Sequence, residues 1–224
     1  MKKTIDDNKP MIISYMTLRQ AVGWLGILLP FVLLTGNYLI NRFTDFETGC
    51  NLFKNSISHY YYTRMGEVFV GTLCAVAFFL FCYKGHEKID SRLSNLAGFF
   101  ALGIVIFPTS AVLPIPCNLR SYISGSITGS IHFSMATLFF LTLAYMSYAV
   151  FTKNKGNMTP QKIIRNKIYK ACAVVIVACL IGIVVFIQWL PSLANLHPVF
   201  CFESIALVAF GFSWLTKGEF LLKD

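Results

Sequence analysis

Between Ile168 and Leu190 the chain reads IYKACAVVIVACLIGIVVFIQWL, with Lys170 near its start and no other charge. About 20 apolar residues in a helix cross a bilayer core of about 30 Å, so this run reads as a membrane span. Directly before it stands a basic segment with Lys153, Lys155, Lys162, Arg165 and Lys167. The same pairing recurs along the 224 residues, with further apolar runs at about 21–40, 66–83, 96–114, 131–151 and 198–215. Basic residues fall on alternate sides of the six runs. One set of segments holds fifteen of the nineteen Lys and Arg residues; the other holds only Arg42, Lys54, Arg64 and Arg120. Lys and Arg accumulate on the cytoplasmic side of membrane proteins, so both termini are expected there.

The expected fold is all-α, an integral membrane bundle of six transmembrane helices. Residues 1–20 read as a cytoplasmic tail, 21–215 as the membrane domain and 216–224 as a second cytoplasmic tail. The first run is full length and has no small-residue cleavage site behind it, so it reads as a span and not a signal peptide. The composition agrees: 56% of residues are hydrophobic and 13% charged. The net charge of +9 would suggest nucleic acid as a partner in a soluble protein. Here the excess lies at span ends, where anionic lipid head groups account for it, and no nucleic acid is expected. The expected partner is the lipid bilayer, in a bacterial plasma (inner) membrane; oligomerisation is left open.

Candidate chemistry gathers on the outer side. His59 lies in the first outer loop, His132 at the start of the fourth span and His197 before the sixth. Glu67 opens the second span, three residues after Arg64. Glu203 sits about 8 Å below the outer end of the sixth span. A carboxylate at that depth usually faces the bundle interior or a water-filled cavity, so Glu203 is the sharpest single candidate. Pairing of His132 with Glu203 or Glu67 is one reading, and a structural hydrogen bond between helices is the other. The ligand-binding candidates are thus Glu67, His132, Glu203, His197, His59 and Arg64. No cofactor is the first expectation. Zinc on His59, His132 and His197 is a weaker one, because no two histidines fall within one helical turn. Ser56 and Ser58 become nucleophiles only if His59 or another base reaches them. Cys50 and Cys117, in the two outer loops, are candidates for a disulfide or for two free thiols.

Tyr60, Tyr61 and Tyr62 read as an interfacial aromatic belt. Thr159-Pro160 reads as a helix start, Thr159 the cap and Pro160 the first helical residue. Ser134, Thr137, Tyr145 and Tyr148 share a face of the fourth span.

Several motifs carry a resemblance. They are Ser56-Ile57-Ser58-His59-Tyr60-Tyr61, Tyr83-Lys84-Gly85 with Asp90, Asn95-Leu96-Ala97-Gly98 and Phe107-Pro108-Thr109. Ile131-His132-Phe133, Arg165-Asn166-Lys167-Ile168-Tyr169, and Glu203-Ser204 leading to Phe210-Gly211-Phe212-Ser213-Trp214 complete the set. Together they resemble a family of small bacterial multi-pass proteins without assigned activity, the domain-of-unknown-function group numbered 998, and more distantly the FRAG/DRAM-like six-span proteins. The resemblance implies a six-helix membrane protein and supplies no catalytic residue. Seven-span ceramidase-like metal hydrolases carry paired histidines on a last helix, which this chain lacks.

The functional expectation is therefore a membrane protein that binds or moves a lipid or small solute through an outward-facing polar pocket. The alternatives are a membrane-embedded, metal-dependent lipid hydrolase, and a structural or sensor subunit of a membrane complex.

Overall fold

In the computed structural model, residues 9–44, 53–85, 87–111, 126–154, 156 and 158–222 are described. Among them the fold is all-α, with no strand. The helices are α1 (Lys9–Phe43), α2 (Gly66–Cys82), α3 (Lys88–Ile106), α4 (Ser126–Tyr145), α5 (Pro160–Trp189) and α6 (Pro198–Lys217). All but α2 belong to stretches long and apolar enough to cross a membrane; α2, at 17 residues, is shorter.

Local chemistry sets where each helix starts and stops. The Thr159 hydroxyl accepts from Lys162 N at 3.1 Å and Pro160 is the first helical residue, as the sequence suggested. The helix it starts is continuous through residues 160–189, so the basic segment and the fifth apolar run form one rod. The third run was expected at 96–114 and is displaced: α3 spans Lys88–Ile106. Asp90 Oδ2 accepts from Glu87 N at 3.1 Å and fixes the start. Pro108 disfavours helical geometry at Phe107 and fixes the end. Among the described residues, helix α1 runs from Lys9, inside the stretch read as a tail. It continues through Pro30. Helix α4 ends in a π-helical turn, Met146–Val150, where the Ser147 and Ser213 hydroxyls meet at 2.7 Å, fully buried.

Helix α6 packs against both α1 and α5, α2 against α3, and α3 against α4; α4 and α5 meet less closely. In lipid, helix association depends on close packing and small residues more than on apolar burial. The α1–α6 contact illustrates this. A side-chain carbon on Gly211 would overlap the Gly23 carbonyl oxygen and the Ile27 side chain, so the two backbones touch. Near one end of the core, Trp214 is fully buried, with the rings of Tyr83, Phe151 and Phe210 at 5.2, 5.4 and 6.0 Å.

The bundle has two chemically different ends. At one, Arg19 Nη1 donates to Lys217 O at 3.3 Å and Gln20 Nε2 to Gly218 O at 2.8 Å. There Lys153 bonds Glu87 at 2.8 Å and the buried Asp90 at 3.0 Å, and Arg165 pairs with Glu219 at 3.5 Å. The other end carries a 3-10 helix over Ile57–Tyr62, the Phe107–Ser110 segment and a second 3-10 helix over Pro191–Leu196.

Candidate functional site

The Ile57–Tyr62 turn folds across the helix ends and roofs the space beneath. Three bonds pin it. Glu203 Oε2, on α6, accepts from Ile57 N at 2.6 Å. Phe200 N donates to Asn55 O at 3.1 Å, and the Tyr62 hydroxyl donates to Thr109 O at 2.5 Å. Tyr60 and Tyr62 are consequently buried, at 0% and 3% exposure, and only Tyr61 remains half-buried. This corrects the belt reading: a tyrosine belt needs ring hydroxyls in water, and here the turn carries two of the three rings inward.

Under the roof is a cavity of about 250 Å³. Its polar end is formed by Ser56, Ser58, His59, Thr109, His132 and Glu203. Its walls are apolar: Phe133, Ala136 and Phe140 from α4, and Leu180, Ile183, Val184 and Ile187 from α5. Phe133, Val184 and Ile187 are 47%, 44% and 49% exposed, so the cavity reaches the outer surface of the bundle along the loose α4–α5 seam.

Of the residues singled out from sequence, His59, His132 and Glu203 are brought together here. Of the two readings of their bonding, the structure shows structural hydrogen bonds to backbone and not a His132–carboxylate pair. His132 Nδ1 donates to Phe107 O at 2.8 Å, not to a carboxylate. Phe107 lies just past the end of α3, where carbonyls lack helical partners, and His132 caps that end from α4. Glu203 is held by a backbone N–H. His59 Nδ1 lies 2.5 Å from Ser56 Oγ, and the ring also bonds the Ser110 backbone. Burial, followed by the neighbouring His132, holds the His59 imidazole down at about 4, against the opposing pull of the Ser110 carbonyl.

Glu67, Arg64 and His197 stand elsewhere. Glu67 is exposed in the first turn of α2, and Arg64 is exposed before it. His197 caps α6 in the left-handed region, at φ 48°, with its ring stacked on Phe53 at 5.7 Å. Cys50 and Cys117 lie outside the described residues. Among the described residues no group of three or more His, Cys, Asp or Glu side chains is placed to hold a metal ion.

Asn55, Thr109 and Thr137 also line the cavity. Thr137 lies on the shared polar face of α4; no sequence pattern assigns Asn55 or Thr109 to a site, because their places depend on how the loops fold over the helix ends. Ser134, on the same face as Thr137, bonds back to Ser130 O at 2.9 Å, a local use of its hydroxyl.

No family model matches this chain, and neither a curated protein nor a solved structure matches it.

Proposed function

We propose that this is a six-span protein of a bacterial plasma membrane, with both termini in the cytoplasm, that takes a lipid from the outer leaflet into the cavity beneath the Ile57–Tyr62 roof. The lipid's polar part lies against His59, His132 and Glu203, and its hydrocarbon part lies between α4 and α5. The observation that carries this reading is the asymmetry of the cavity: polar groups gather at one end and apolar walls open sideways along a helix seam. A water-soluble solute has no use for such an opening, whereas an amphiphile matches both halves.

Occupancy tests it. Protein extracted in a mild detergent and analysed by native mass spectrometry carries a tightly held lipid. Ala136→Trp fills the cavity and removes that lipid, whereas Ile205→Trp, on an exposed face of α6, leaves it in place. Equal retention by both variants would defeat the reading.

A further inference from the structure

The polar end of the cavity contains a pairing that lipid binding alone does not require. Ser56 caps the Ile57–Tyr62 turn, its hydroxyl oxygen accepting from His59 N at 3.3 Å. Capping uses the oxygen and leaves the hydroxyl proton free. That proton has a destination: Ser56 Oγ lies 2.5 Å from His59 Nδ1. The imidazole also bonds the Ser110 backbone carbonyl, which can only accept. With Nδ1 against Ser56, Nε2 is the nitrogen left to donate to that carbonyl. In the tautomer with its proton on Nε2, the neutral ring presents the Nδ1 lone pair to the serine. Burial favours that neutral form. A hydroxyl hydrogen-bonded to a neutral imidazole whose other nitrogen is fixed is the arrangement that activates a nucleophilic serine. Both side chains line the cavity, and Asn55 and Thr137 bring amide and hydroxyl donors to the same space.

We infer that Ser56 and His59 form a nucleophile–base pair acting on an acyl ester of the lipid held in the cavity. This inference rests on the proposed lipid pocket. Ser56 Oγ attacks the ester carbonyl carbon while its proton passes to His59 Nδ1. The carbonyl carbon–alcohol oxygen bond then breaks, and the imidazolium returns the proton to the departing alkoxide. The product is an acyl-serine and a free alcohol. Water, deprotonated by His59, attacks the acyl-serine, releases a carboxylic acid and restores the Ser56 hydroxyl. The sum is ester plus water to alcohol plus acid.

The test uses the full chain in detergent with a long-chain alkyl fluorophosphonate, followed by intact-mass analysis and peptide mapping. One adduct per chain is expected, on Ser56. Ser56→Asn keeps a capping oxygen, because Asn caps as well as Ser, so it folds and takes no label. His59→Gln labels about 100-fold more slowly, the range removed with a general base. Ser192→Ala, on the exposed 3-10 helix after α5, labels like the wild type. Folding is scored separately, by gel filtration and melting temperature. Folded wild type that retains lipid yet takes no label on Ser56, or His59→Gln labelling at the wild-type rate, overturns the pair and leaves the pocket standing. Label on Ser56 in protein without bound lipid supports the pair and removes the pocket. Absence of both label and lipid removes both.

Discussion

Glu203 places a carboxyl group about 8 Å into α6 and bonds the roof through one oxygen. Removing that oxygen leaves the Ile57 N–H without its acceptor. Glu203→Ala is therefore expected to cost about 1–3 kcal/mol, the range for an unsatisfied buried donor, and to lower the melting temperature in detergent. Glu203→Gln keeps an acceptor at the same reach and should melt within about 0.5 kcal/mol of the wild type. If both variants melt alike, the bond does not hold the roof. Depth alone marked Glu203, and side of the membrane marked His59 and His132. The Ser56–His59 contact was not legible, because it depends on a 3-10 turn that no periodicity signals. The separation of Glu67 from the cavity was hidden for a related reason. Helix α2 is apolar around its whole circumference, so no stripe reveals which way its first turn faces. The structure turns Glu67 outward.

Six apolar runs became six helices, yet their edges moved wherever a side chain rather than hydropathy decided them. Thr159-Pro160 could be read because cap and proline are neighbours in sequence. The start of α3 could not, because it rests on Asp90 reaching back to Glu87 in a segment that looks like an ordinary charged turn. The touching backbones of α1 and α6 are also invisible to inspection, since Gly23 and Gly211 lie nearly a chain length apart. Their contact gives an element-scale prediction. Gly211→Val forces the two helices apart and is expected to cost about 1–3 kcal/mol, as overpacking does. Gly71→Ala, where an added carbon meets nothing within 4 Å, should be neutral or stabilising by up to about 1 kcal/mol. Thermal unfolding of the two variants in one detergent checks the contrast; equal melting temperatures would contradict the close approach.

At the scale of the molecule, sequential helices run between the same two ends. Arg19, Lys153, Arg165 and Lys217 come together at one of them, although they belong to three separate stretches of sequence. Helix α2 runs between these ends like its neighbours, despite a length of about 26 Å. The proposed threading has six crossings and puts the basic end on the cytoplasmic side, where the positive-inside rule would place it. A reporter fused after Asp224 should be active only in its cytoplasmic form, and one inserted between Asp45 and Asn51 only in its external form. The opposite pair would invert the threading and move the cavity to the inner leaflet. The gathering of basic residues at one end was legible because lysine and arginine record it in the sequence; the tilt and rotation of each rod were not, because outward-facing and partner-facing surfaces are built from the same apolar residues.

The pinned turn over the cavity has a consequence for how any guest arrives. Glu203 and Phe200 fasten it to α6 and Thr109 to the segment after α3, and in the proposed lipid reading the gap flanked by Phe133, Val184 and Ile187 is the way in from the leaflet. A guest has to dissolve in the leaflet before the protein meets it. Loading then follows mole fraction in the membrane, not molarity in the surrounding buffer, so diluting a vesicle suspension leaves the bound fraction unchanged while diluting the host lipid within each vesicle lowers it.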